Sequence, residues 1–152
     1  MLIDWALASL HHLAVFALAA ILAGELAILT VGIDERGLAR LARIDLGYGV
    51  AAAVVVIFGV ARVIWGAKGY QYYVENSVFW TKMALFVLVG LLSIPPTVRY
   101  IGWGRQRRRD PAFRPDAQDI ASVRLWLWAE AALFLAIPVA AAAMARGYGM
   151  PS

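Results

Sequence analysis

The sequence predicts an all-α fold, a polytopic membrane protein built as a four-transmembrane-helix bundle. The first observation behind this is composition: 62% of the 152 residues are hydrophobic and only 16% are charged. A water-soluble domain of that length exposes too much of its area to hide so much apolar surface. The second is pattern: the apolar residues form long runs, not the alternation of barrel strands. The third is charge placement, since the basic residues collect in short segments between those runs.

About 20 helical residues cross a bilayer core, and four runs are long enough, at residues 5–30, 47–65, 77–101 and 121–145. The opening "MLIDWALASL" lacks a basic leader segment and the run behind it is long for a signal peptide, so it reads as a retained first span. The second run is rich in alanine, valine and glycine. The third contains "SIPP", whose prolines remove backbone donors and predict a kink or an early exit near residue 95. Pro138 predicts a kink in the fourth. No internal repeat or low-complexity linker divides the chain, so residues 1–152 read as one four-helix transmembrane domain.

Orientation follows from lysine and arginine in the connections. The first connection carries Arg36, Arg40 and Arg43; the third carries Arg99, Arg105, Arg107, Arg108, Arg109, Arg114 and Arg124. The opposite side has Arg62, Lys68, Lys82 and Arg146. The arginine-rich connections are therefore expected in the cytoplasm and both termini outside. A net charge of +4 and a pI near 9.8 come from this topology signal, not from a nucleic-acid surface, and "GRQRRRDPAFRP" suits anionic lipid. The absence of cysteine excludes disulfides, thiolate metal sites and iron–sulfur clusters.

Polar residues inside the runs are the candidates for function, because ionisable groups are costly in hydrocarbon. His11, His12, Arg62 and Lys82 fall at similar depth near the outer ends of three spans. Glu25 lies 14 residues beyond His11 on the same helix face, roughly 21 Å further in. Glu130 approaches the same inner half from the other direction, so Glu25 and Glu130 are expected to share one polar cluster. Tyr48, Ala52, Val55, Gly59 and Arg62 form a stripe along span two; Lys82, Phe86, Val89 and Ser93 form one along span three. Imidazole suits iron or copper, and a neutral lysine amine could be a second ligand. The competing reading has the histidines hydrogen-bonded to neighbouring helices and the two cations extended to the interface.

Weaker signals have simpler readings. Tyr70, Tyr72, Tyr73, Phe79 and Trp80 suit an interfacial aromatic belt, and Glu75 and Asn76 suit the start of span three. Met83 and Met144 read as packing. The chain has no phosphate loop, nucleophile triad or "HExxH".

The stretches "LHHLAVFALAAILAGEL", "ARIDLGYGVAA" and "ARVIWGAKGYQYYVENSVFWTKMALFVLVGLLSIPPT" resemble a family of uncharacterised bacterial four-span membrane proteins, over most of the chain. More distantly, the pattern is similar to the bacterial haem-dependent membrane protoporphyrinogen oxidase and to copper-resistance D-type proteins. The oxidase resemblance rests on a first-span histidine, matching His11 in "HHLAV", and a third-span lysine after an aromatic residue, matching Lys82 in "FWTKMALF". It implies haem b with His11 and Lys82 as axial ligands, His12 as the substitute, and Arg62 and Lys68 beside the propionates. The chain departs from that pattern in having Trp80 and Thr81 where a histidine often stands. Its first span also ends in Glu25 and "TVGIDERG" instead of proline and arginine. The resemblance implies a bacterial inner-membrane location and a redox or electron-transfer role, with lipid, a quinone or other redox partner, or a second copy of the chain as partners. An oxidoreductase acting on a porphyrinogen-like substrate is one form of that role. The alternative is a small transporter or metal-handling protein in which Glu25, His11 and Glu130 line an ion path.

Overall fold

The computed structural model describes residues 2–33 and 35–151, with the side chains of Glu35 and Arg36 outside the description. Among these residues all regular structure is helical: α1 Leu2–Val31, α2 Glu35–Trp65, α3 Gly69–Val74, α4 Ser77–Arg109 and α5 Ala117–Ala145. The four long helices are each apolar enough to span a membrane. Large apolar side chains such as Leu13, Phe16, Ile57, Leu91, Leu125 and Val139 point outward. That outward face suits hydrocarbon and would be a liability in water.

Neighbouring long helices run antiparallel, α1 along α2 and α4 along α5, while α2 meets α4 and α1 meets α5. α1 and α4 therefore stand diagonally across the bundle. One end carries both termini and α3. The other carries the α1–α2 and α4–α5 connections and is called here the arginine end. Each helix contributes one narrow buried face at three- and four-residue spacing: Ala14, Leu18, Leu22 and Leu29 on α1, Leu38, Leu41, Tyr48 and Val55 on α2. Val89, Pro96, Tyr100 and Trp103 do the same on α4, and Val123, Leu127 and Phe134 on α5.

Two expectations need correction. The segment holding Arg40 and Arg43 is not a loop: α2 already begins at Glu35, so the first connection is a few residues long. Arg36 lies on this helix, but its side chain is outside the described residues. α4 does not exit at its prolines and continues through Pro95 and Pro96 to Arg109. Neighbouring helices cover the proline turn (Pro96 is fully buried), and Ser93 Oγ donates to the Gly90 carbonyl at 2.8 Å. Cover of this kind by neighbouring helices is one way membrane helices tolerate proline. Pro138 lies within α5, which continues to Ala145. The aromatic-rich segment between the second and third spans contains the short helix α3.

The terminal end is held by capping bonds. Asn76 is fully buried and accepts from the Val78 and Phe79 amides, satisfying two free donors at the start of α4. Its Nδ2 donates to the Tyr148 carbonyl, and the Ser77 amide donates to Gly149 O. Gly149 has φ 85°, and a Cβ there would stand 2.6 Å from Val78 Cγ2 and 2.7 Å from Asn76 Oδ1. Only glycine fits. Asp4 Oδ1 accepts from the Ala67 amide at 3.0 Å, tying α1 to the turn after α2. A Cβ on Gly66 would run into the Arg62 carbonyl, so that turn also requires glycine.

Candidate functional site

Two polar clusters lie inside the bundle. The first is near the terminal end. Its centre is the half-buried His11, whose ring rests on α2 where Gly59 leaves room: a Cβ on Gly59 would be 3.4 Å from His11 Cε1. His11 Nδ1 stands 3.2 Å from the Val55 carbonyl oxygen. A carbonyl can only accept, so Nδ1 carries the proton and donates it. In the neutral ring, Nε2 then holds the lone pair.

Arg62 and Lys82 lie within electrostatic range of both histidines. Arg62 Nε is buried without a hydrogen-bond partner. Lys82, on the diagonally opposite helix, places Nζ 5.5 Å from the Phe79 ring centroid. His12 is exposed, with its ring 6.0 Å from that of His11. The structure thus brings together His11, Arg62 and Lys82, with His12 at the margin. Lys68 is elsewhere: its Nζ donates to the Tyr72 hydroxyl at 2.9 Å on the exposed surface. Tyr72 in turn donates to Met144 O at 2.6 Å.

The second cluster lies toward the arginine end, roughly 9 Å from the end of α1 and about 15 Å from the start of α2 at the helical rise. Glu25 of α1 and Glu130 of α5 are 3% and 1% exposed. They are joined by Asp45 and Tyr48 of α2 and by Thr97 and Tyr100 of α4. Thr97 donates to Asp45 Oδ1 at 2.7 Å. The Tyr100 hydroxyl reaches Glu25 Oε2 at a long 3.5 Å. Tyr48 lies beside Glu130, close enough to interact but outside hydrogen-bond geometry, and both Glu130 oxygens and Glu25 Oε1 are buried without a partner. Trp103 packs on Tyr100 with ring centroids 5.8 Å apart, and its buried Nε1 also has no acceptor.

Glu25 and Glu130 were visible in the sequence as charges inside apolar runs. Asp45, Thr97 and Tyr100 were not singled out, because they sit where the apolar runs end. The available signal was spacing: Asp45, Tyr48, Ala52 and Val55 continue one stripe, and Thr97 and Tyr100 are three residues apart.

Between the clusters the interior is apolar. Leu18 and Leu22, 1% and 3% exposed, meet Val55, Val89 and Phe134 there. His11 and Glu25 therefore belong to separate sites. Among the described residues no three His, Asp or Glu side chains form a group able to hold a metal ion. An open apolar groove lies on the α1–α2 surface, lined by Ala14, Ala17, Gly47, Val50 and Val54 with Arg43 also present.

A four-helix bundle with an apolar outer face and polar clusters in its interior defines an integral membrane protein. The chain matches, over residues 3–149, the family described as "Predicted membrane protein (DUF2214)" and belongs to that family. No curated protein and no solved structure matches it.

Proposed function

We propose that the protein binds a b-type haem at the terminal end of the bundle and serves a redox role in a bacterial inner membrane. The observation that carries this reading is the His11–Val55 hydrogen bond, which commits Nδ1 and leaves Nε2 for a metal. Other features of the cluster fit the group. Lys82, within electrostatic range of His11 from the diagonal helix, would as a neutral amine be the second ligand, and His12 is the substitute for His11. Arg62 Nε lacks a partner, which suits a propionate. Lys68, engaged with Tyr72, has a smaller part in that role. Resemblance to the haem-dependent oxidase at "HHLAV" and "FWTKMALF" supports the same ligand pair. Bound haem supplies one-electron transfer; the chain's own residues hold the iron, neutralise the propionates and set solvent access. A quinone, another membrane redox partner or a porphyrinogen-like substrate suits such a site.

Protein purified from haem-sufficient cells should show a Soret band that shifts on reduction. His11→Ala should lose haem or change its spin state, and Lys82→Ala should alter the spectrum. Folded wild-type protein without haem, or unchanged haem in both the His11 and Lys82 variants, overturns the reading.

The orientation proposed with it places both termini outside the cytoplasm, since the arginines of α2 and α4 gather at the opposite end. A reporter fused to the C-terminus and active only in the cytoplasm should stay silent; activity would invert the assignment.

The buried carboxylates favour a second reading, a small transporter or metal-handling protein. The apolar layer around Leu18 and Leu22 limits it, because a path lined by both His11 and Glu25 would have to cross that layer.

A further inference from the structure

Glu25, Asp45 and Glu130 come from three different helices, and the groups facing them from every packed element are anionic or neutral. α1 supplies only Glu25, α2 supplies Asp45 and Tyr48, α4 supplies Thr97, Tyr100 and Trp103, and α5 supplies Glu130. Arg99 of α4 is turned elsewhere and pairs with Asp119 at 2.9 Å on the surface. Three negative charges with no countercharge among the described residues that face them are not tenable in a low-dielectric interior, so the site must hold something positive.

A second observation limits what that is. Both Glu130 oxygens and Glu25 Oε1 are buried without a hydrogen-bond partner, with the Tyr48 hydroxyl beside Glu130 but outside hydrogen-bond geometry. Buried acceptors of this kind call for hydrogens, from a carboxyl proton or from an ordered water. The carboxylates do not converge as metal ligands do, whereas a proton needs no coordination shell. Asp45 and Thr97 are half-buried, and Glu25 and Glu130 are almost fully covered. The way in from water is therefore past Asp45, from the arginine end, and it stops at the apolar layer.

We propose that Glu25, Asp45 and Glu130 form a proton-binding site that exchanges protons with the arginine end of the bundle through Asp45. A hydronium ion gives its proton to an Asp45 oxygen, forming an O–H bond and leaving water. The proton then passes to a Glu25 or Glu130 oxygen, which restores the Asp45 carboxylate. Tyr48 and Tyr100 stay protonated and orient the carboxyl groups. This site is independent of the haem cluster and stands or falls without it.

Infrared difference spectra of the full chain in lipid vesicles, titrated from mildly acidic to mildly alkaline pH, test the proposal. The wild type should show protonated-carboxyl bands that shift in deuterated water and lose intensity as pH rises. Glu25→Gln and Glu130→Gln should each remove one component, and Asp45→Asn should slow exchange of the remaining components with deuterium. Helical circular dichroism shows which variants fold. If folded wild-type protein has no protonated-carboxyl band across the titration, the proposal is overturned. It is equally overturned if the bands vanish at constant pH on adding sodium or calcium ions, because the site would then hold a metal cation. Bands unchanged in the Glu25→Gln and Glu130→Gln proteins would assign the protons to other residues.

Discussion

The two polar clusters differ in sign and in how the bundle satisfies them. At the terminal end, cationic and imidazole groups gather around one well-made hydrogen bond, His11 to the Val55 carbonyl. Arg62 and Lys82 are long, and their stems cover apolar surface, yet Arg62 Nε stays buried in the His11 cluster without a partner. At the arginine end, short carboxylate side chains cannot reach water from their buried backbone positions. Glu25 and Glu130 stay inside with unpaired oxygens, and only Asp45, which is half-buried, receives a short bond from Thr97. The arginine end, with short carboxylates and no cation to pair them among the described residues, is the one that must resolve its charge by taking in a proton.

What keeps the two regimes separate is the apolar layer, and breaking it should have the largest effect. Leu18 is 1% exposed and stands midway between His11 and Glu25 on the same face. Leu18→Glu puts a third ionisable group in the gap and should cost about 3 kcal/mol, the range for a charge at a bilayer centre. Leu18→Met, which nearly conserves volume, should cost less than about 1.5 kcal/mol. Unfolding in mixed micelles measures both. Equal stability of the two variants would mean that the layer is already hydrated and the clusters communicate.

A smaller change sharpens the arginine-end account. Thr97→Val keeps the shape and removes the 2.7 Å donor to Asp45, so stability should fall by about 1 kcal/mol, the net worth of one such bond. The same unfolding measurement applies. No loss would show that water already serves Asp45, which would make it a more open entrance than its half-burial suggests.

Much of this was determined by the sequence alone. Long apolar runs require helices in a membrane, because an unpaired backbone in hydrocarbon is prohibitive. Charges within those runs mark interior faces, which is how His11, Glu25, Lys82 and Glu130 were found. The Asn76 cap of α4 was legible too, since its side chain acts on amides two and three residues away. Tertiary structure decided what depends on neighbours. Hydropathy falls off where charges begin, but backbone hydrogen bonding does not, so α2 and α4 run on as helix past the predicted ends of their spans. Periodicity shows which face of a helix is buried and not which helix lies opposite. Only the packing order, with α1 diagonal to α4, set Tyr100 against Glu25, Thr97 against Asp45, and Lys82 across from His11, while Lys68 went to Tyr72.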